Sequence, residues 1–154
     1  MSEAAAIRDL TSARPELTFE NAAKAGFAGV IGTIAFDVVG LIATGQWWDI
    51  PGMLGGKIGG GLAVGVLAHY ANGVLLGIIF AGLLPLFFGP VWARALQFIT
   101  VQTVFGVWLF MMPIAGMGAL GLGMGAMMPV IALLRHWAYA LVLGLIYARL
   151  TGVK

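Results

Sequence analysis

The stretch GLAVGVLAHYANGVLLGIIFAGLL, residues 61–84, decides the fold class, because it is predominantly apolar and carries no charged side chain. A transmembrane helix needs about 20 mostly apolar residues. Three further stretches of the chain meet that requirement, residues 24–44, 94–114 and 128–149. The sequence therefore predicts an all-α integral membrane protein, a bundle of four transmembrane helices.

The composition of the whole chain agrees with a membrane protein and excludes several classes of function. Of the 154 residues, 61% are hydrophobic and 9% charged, whereas a soluble domain has roughly 45–50% apolar and about 25% charged residues. A net charge of +2 offers no basic surface, so no nucleic-acid partner is expected. Serine occurs only at positions 2 and 12, cysteine is absent, and no phosphate-binding loop is recognisable, so we expect no enzyme activity.

The chain divides into a polar N-terminal tail, residues 1–23, and a transmembrane domain, residues 24–154. Basic residues in short loops mark the cytoplasmic side of a membrane protein. Only Lys57 falls in a loop on the side opposite the N-terminus. Six basic residues fall on the N-terminal side: Arg8, Arg14, Lys24, Arg94, Arg149 and Lys154. This bias predicts a multi-pass protein of the inner (plasma) membrane with both termini in the cytoplasm.

An internal repeat relates the second and fourth predicted helices. Residues 68–81 align without a gap on residues 135–148, at an offset of 67 residues that places His69 on His136. Two repeated helix hairpins, inserted in the same direction, would give this pattern. Both helices also carry a small residue or a histidine at every fourth position: Gly61, Gly65, His69, Gly73, Gly77 and Ala81 in one, Ala132, His136, Ala140, Gly144 and Ala148 in the other. This spacing lets helices pack closely in lipid, so both histidines are expected to face protein.

Four ionisable residues are predicted to lie in one layer of the membrane: Asp37, His69, Arg135 and His136. At 1.5 Å per residue, each lies about 10 Å from the outer surface. An ionisable residue at such a depth is costly and marks a candidate functional site. Asp37 is the only carboxylate within the predicted spans, so we expect an intramembrane ion pair between Asp37 and Arg135, either structural or functional.

Three interpretations of His69 and His136 stay open. They could be the two axial ligands of a haem b, with Arg135 paired to a propionate. They could bind copper as metal ligands, because thioether and imidazole groups suit Cu(I) and the outer part of the chain is rich in methionine. The methionines concerned are Met111, Met112, Met117, Met124, Met127 and Met128. The histidines could instead be hydrogen-bonded packing residues, or one wall of a quinone site or proton path.

The segments Gly29–Thr33, His69–Gly77 and Arg135–Gly144 resemble segments of small uncharacterised bacterial inner-membrane proteins with four spans. The resemblance covers the spans and implies no activity. The expected role is a non-catalytic accessory subunit of a larger respiratory or photosynthetic membrane complex, surrounded by lipid and by other integral membrane subunits or further copies of itself. One alternative is a haem- or copper-binding protein of electron or metal transfer. Another is a small transporter or ion pathway.

Overall fold

The computed structural model describes residues 17–153, and within that range the only secondary structure is helical. Five helices form the molecule: α1, Phe19–Thr44; α2, Asp49–Ile58; α3, Gly61–Leu83; α4, Val91–Ile114; and α5, Met128–Thr151. All of them except α2 are long and apolar enough to cross a membrane. The predicted all-α fold with four membrane-spanning helices is confirmed, and the protein is a polytopic membrane protein.

Helix α1 begins at Phe19, within the stretch predicted to be a polar tail. The Thr18 side chain accepts a hydrogen bond from the Asn21 amide (3.2 Å) and so caps the start of the helix. The end of the predicted tail therefore belongs to the first spanning helix. Residues 1–16 and Lys154 lie outside the described residues.

The segment between α1 and α3, predicted to be a loop, folds into the short helix α2. Gly45 ends α1 and Gly59 ends α2, each in the left-handed conformation that favours glycine. With 10 residues, α2 is too short to span a membrane. It packs along α3, where Gly65 leaves room for the backbone carbonyl of Pro51.

Helix α1 is the central helix of the molecule. It packs against α3 on one side and α5 on the other, while α4 packs against α5. Helices α3 and α4 meet at the end remote from α2, where the ring centroids of Phe80 and Phe98 lie 5.8 Å apart. Toward the end that carries α2, the two helices separate and leave a cavity between them. The four spanning helices therefore form a curved row that closes at only one end.

Small residues set the closest approaches between the spanning helices, as their spacing predicts. A Cβ atom at Gly73 of α3 would overlap the hydroxyl of Thr33 on α1, and one at Gly77 would overlap a carbonyl of α1. A Cβ atom at Gly144 of α5 would come within 2.6 Å of the Trp92 Cα atom on α4. Each predicted hairpin is thus closed by glycine. However, α1 packs against α5 of the other hairpin as well as against its own partner α3, whereas α4 packs chiefly on α5. The two hairpins are therefore not arranged symmetrically, and the duplication stays a prediction.

Helix α4 changes its winding where it borders the cavity. It is α-helical from Val91 to Gln102 and π-helical over Thr103–Met111. Its threonines turn inward and donate hydrogen bonds to the carbonyl four residues earlier, at 2.7 Å in the case of Thr103. π-helical turns are rare in proteins, and those that do occur often lie at functional sites. This π-helical segment is not predictable from the sequence, because its residues are as apolar as those of an ordinary spanning helix.

Candidate intramembrane binding site

A cavity of about 370 Å³ lies between α3 and α4, in the half of the molecule that carries α2. Helices α1 and α5 form its back wall, and α2 borders one end. Most of its lining is apolar. The exceptions are seven polar side chains from four helices: Thr33 on α1, His69 and Asn72 on α3, Gln102 on α4, and Arg135, His136 and Tyr139 on α5. Three of the four residues of the predicted polar layer therefore border one cavity.

The fourth residue of that layer, Asp37, lies on α1 and is only 1% exposed. Its carboxylate forms a hydrogen bond with Nε2 of His69 (2.9 Å) and accepts another from the hydroxyl of Tyr70 (3.3 Å). These contacts join α1 to α3 inside the membrane. A buried carboxylate is tolerated only when such partners replace its hydration, so Asp37 fixes the orientation of His69.

Arg135 pairs with Asp49 rather than with Asp37. Two nitrogens of its guanidinium donate to the two carboxylate oxygens of Asp49, at 2.7 and 2.8 Å. The guanidinium also lies 4.3 Å from the ring centroid of Phe36 and fits against Gly40, where a Cβ atom would overlap it. The predicted ion pair between Asp37 and Arg135 is therefore wrong.

The physical reason for this correction is the short helix α2. Asp49 was assigned to a loop outside the membrane, but it stands in the first turn of α2, which folds back over α3 and brings it to α5. Burial raises the pKa of Asp49, but the hydrogen bonds and positive charge of Arg135 outweigh this and leave the pKa below its usual value. The Asp49 carboxyl is thus ionised at neutral pH. It ties the N-terminal end of α2 to α5.

His136 has one bonded and one unbonded ring nitrogen. Its Nδ1 atom donates to the carbonyl of Ala132, one turn earlier on α5 (2.7 Å). A carbonyl only accepts, so Nδ1 carries the proton and Nε2 of the neutral ring is an acceptor. Within residues 17–153, Nε2 has no hydrogen-bond partner. His136 therefore offers the cavity one free acceptor.

Three further polar groups of residues that line the cavity are unpartnered among the described residues, and one of them is the buried Nε atom of Arg135. The Oε1 atom of Gln102 is buried and makes no hydrogen bond within the described part of the chain. Asn72, on the facing side of the cavity, also makes none with any described residue and is exposed. Buried polar groups in proteins are normally hydrogen-bonded, so an orphaned group beside a cavity marks a place for a ligand.

Phe36 separates the two histidines. Its ring centroid lies 5.4 Å from that of His69 and 4.9 Å from that of His136. One iron bound by both imidazoles would need a lone pair of each directed at it, whereas Nε2 of His69 is directed at Asp37. The two side chains as oriented here therefore do not fit the haem b arrangement, which was one of the three interpretations of these histidines.

The methionines divide into two groups. Met111, Met112 and Met128 line the cavity together with Met53 of α2, whereas Met124 is 61% exposed. In the described residues no cluster of three or more histidine and carboxylate side chains could hold a metal ion. Thioether sulfurs are also copper ligands, so copper binding by His69, His136 and the methionines stays a prediction. Flexible methionine side chains also suit the wall of a site for an apolar molecule.

Two residues that contact Arg135, Phe36 and Asp49, are not predicted from the sequence as part of the site. Phe36 looked like any apolar residue of a span, and Asp49 looked like a loop residue. A signal for Asp49 does exist, because Gly45 and Gly59 flank it at the spacing of a short capped helix that also contains Pro51 near its start. Such a signal predicts a helix but not the contact of its first residue with Arg135, 86 positions away.

Comparison with known proteins finds no matching protein-family model, no matching curated protein and no matching solved structure.

Proposed function

We propose that this membrane protein binds a small, lipid-soluble molecule in the cavity between α3 and α4. One observation carries the proposal: a mostly apolar cavity receives unpartnered polar groups from three different helices, Asn72, Gln102 and His136. A few convergent polar groups in an apolar pocket of 300–1,000 Å³ are typical of small-molecule sites, and this cavity measures about 370 Å³.

The route to the cavity supports a ligand that arrives through the bilayer. Large apolar side chains flank the gap between α3 and α4 on its outer side, where Leu75 is 57%, Val101 51% and Phe105 64% exposed. In a membrane these side chains contact lipid. A molecule dissolved in the bilayer can therefore enter sideways without crossing water.

A purely structural role accounts less well for the same groups. Histidine, asparagine and glutamine stabilise helix packing in lipid when they hydrogen-bond across helices. His69 and Tyr139 do so, with the Tyr139 hydroxyl donating to the carbonyl of Gly73 (2.6 Å). His136 and Gln102 do not, and leaving such groups unsatisfied costs about 1–3 kcal/mol each. A bound molecule that hydrogen-bonds to them would offset this cost.

The role of accessory subunit in a respiratory or photosynthetic complex stays a prediction, and ligand binding is compatible with it. The role of transporter or ion pathway also stays a prediction.

The direct test of ligand binding is a chemical analysis of the purified protein. The full chain is purified in mild detergent, extracted with organic solvent, and the extract is analysed by mass spectrometry. We expect one compound at about one molecule per chain.

A matched pair of variants makes this test specific to the cavity. Ala68 lines the cavity, whereas Ala71 on the same helix is exposed on the outer face. Ala68→Phe fills the cavity and should release the compound, while Ala71→Phe should retain it. Equal amounts of the compound in both variants, or no compound at stoichiometric level in any preparation, would contradict the proposal. A visible spectrum and metal analysis of the same samples test the haem and copper alternatives.

A further inference from the structure

We infer that the cavity binds the head group of a quinol, an uncharged ring bearing hydroxyl groups on opposite sides and an apolar tail. This inference rests on the proposed function and adds the chemical class of the ligand. It follows from three properties of the cavity: the cation in its wall is already paired, its free polar groups include an obligatory acceptor, and those groups lie on facing helices.

The pairing of Arg135 disfavours an anionic head group. Arg135 is the cation of the cavity wall, and both oxygens of the Asp49 carboxylate already neutralise it at hydrogen-bond distance. The Asp37 carboxylate is engaged by His69 and Tyr70 behind the cavity. A fatty acid or phospholipid head group would bring an uncompensated negative charge into a low-dielectric site, at a large cost.

The hydrogen-bonding groups require at least one hydrogen-bond donor on the ligand. Nε2 of neutral His136 accepts and cannot donate, because the ring proton is on Nδ1 and is bonded to Ala132. A hydroxyl is an uncharged group that donates to such a nitrogen. The oxidised form, a quinone, presents only acceptor oxygens, which would face the nitrogen lone pair without a bond.

The positions of the free groups call for a second polar atom on the ligand. His136 belongs to α5 and Gln102 to α4, and Asn72 faces them from α3. The amide of Gln102 can present either an oxygen or an NH₂ group, so it accepts from or donates to a second hydroxyl. A ring with hydroxyl groups at opposite ends, as in a quinol, spans such an arrangement, whereas a single terminal alcohol reaches only one side.

Nitrogen-15 NMR of the imidazoles tests the inference directly, because the chain contains only two histidines. The full chain, labelled at histidine and held in mild detergent, is titrated with a decyl-substituted benzoquinol, with the corresponding quinone, and with decanol. His69 is the internal control, because its Nε2 atom is already bonded to Asp37. A His69→Gln variant assigns the two sets of signals.

We expect saturable titration by the quinol, with a shift at Nε2 of His136 and little change at His69. The quinone should bind about tenfold more weakly, the value of one lost hydrogen bond. Ala68→Phe should abolish the shift, and Ala71→Phe should leave it unchanged. Equal affinities for quinol and quinone, the same shift with decanol, or no shift at all would overturn the inference.

The extraction experiment separates this inference from the proposed function. If the quinol fails to shift His136 while another compound is extracted at one molecule per chain, the cavity binds a ligand of a different class and only this inference fails. If no compound is extracted and no probe distinguishes Ala68→Phe from Ala71→Phe, both fail.

Discussion

The ion pair between Arg135 and Asp49 determines where α2 rests, and its contribution can be measured with a double-mutant cycle. Arg135→Met keeps an unbranched, flexible side chain but shortens it and removes the cation, and Asp49→Asn removes the partner charge. The wild type, the two single variants and the double variant complete the cycle. Lys57→Met is a matched control, because it removes an exposed cation from the same helix α2.

The expected magnitude follows from the geometry. The two hydrogen bonds measure 2.7 and 2.8 Å, and hydrogen bonds to charged groups contribute about 1.5–3 kcal/mol each. The Arg135 side chain is 5% exposed, so solvent screens it little, but the Asp49 side chain is 21% exposed. We therefore take the lower end of the range for breaking a buried pair, and expect Arg135→Met to lower the free energy of unfolding by about 3 kcal/mol.

The assay is reversible unfolding of the full chain in mixed mild and denaturing detergent, followed by circular dichroism. We expect a coupling energy of about 2 kcal/mol between positions 49 and 135. Lys57→Met should change the unfolding free energy by less than about 0.5 kcal/mol. Additive effects of the two single substitutions would refute the pairing on which the position of α2 depends.

Four other predictions follow from the described contacts. Gly73→Ala should lower the free energy of unfolding by about 1–3 kcal/mol, because the added Cβ atom would overlap the hydroxyl of Thr33. Gly82→Ala on the same helix is the control: its Cβ atom would make only an ordinary van der Waals contact at 3.5 Å, so it should be nearly neutral in the same unfolding assay. Asp37→Leu should lower the free energy of unfolding by about 2 kcal/mol, because it leaves the His69 and Tyr70 donors unpaired. Asp37→Asn keeps an acceptor and should lower it less. Equal decreases in the two variants would contradict this role of Asp37. The pKa of Asp49 lies below its ordinary value of 3.8 in the folded protein, so its ion pair stabilises the protein above that value and is lost as the pH falls through the folded pKa. The gap in unfolding free energy between wild type and Asp49→Asn should therefore narrow as the pH falls from about 6 to about 3, and a constant gap would rule out this linkage. Lys57→Cys should react with an impermeant thiol reagent from outside intact cells, and reaction only after permeabilisation would reverse the predicted topology.

The sequence sufficed for the parts of the fold that depend on the membrane alone. Long apolar runs can satisfy their backbone only as helices in lipid, so the four spans were predictable to within a few residues. The glycine spacing on α3 predicted its buried face because close helix packing in lipid depends on small residues, and Gly73 and Gly77 stand where α1 crosses.

The site was only half predictable, for a physical reason. Depth in the membrane can be counted along a helix, and this placed His69, Arg135 and His136 near one another. Choice of partner depends on the rotation of each helix and on segments that do not span. Arg135 therefore pairs with Asp49 on α2 rather than with Asp37 on α1. The π-helical segment of α4 and the resulting cavity were also beyond prediction, since they arise from packing and not from composition.

Native mass spectrometry of the full chain released from mild detergent tests the central claim most directly. The chain has a mass of 16.1 kDa, and a bound molecule adds its own mass to that value. We predict that the wild type and Ala71→Phe carry one additional small molecule of the same mass, and that Ala68→Phe appears at the mass of the bare chain. A wild type that appears only at the mass of the bare chain, or an Ala68→Phe variant that keeps the added mass, would contradict ligand binding in the cavity between α3 and α4.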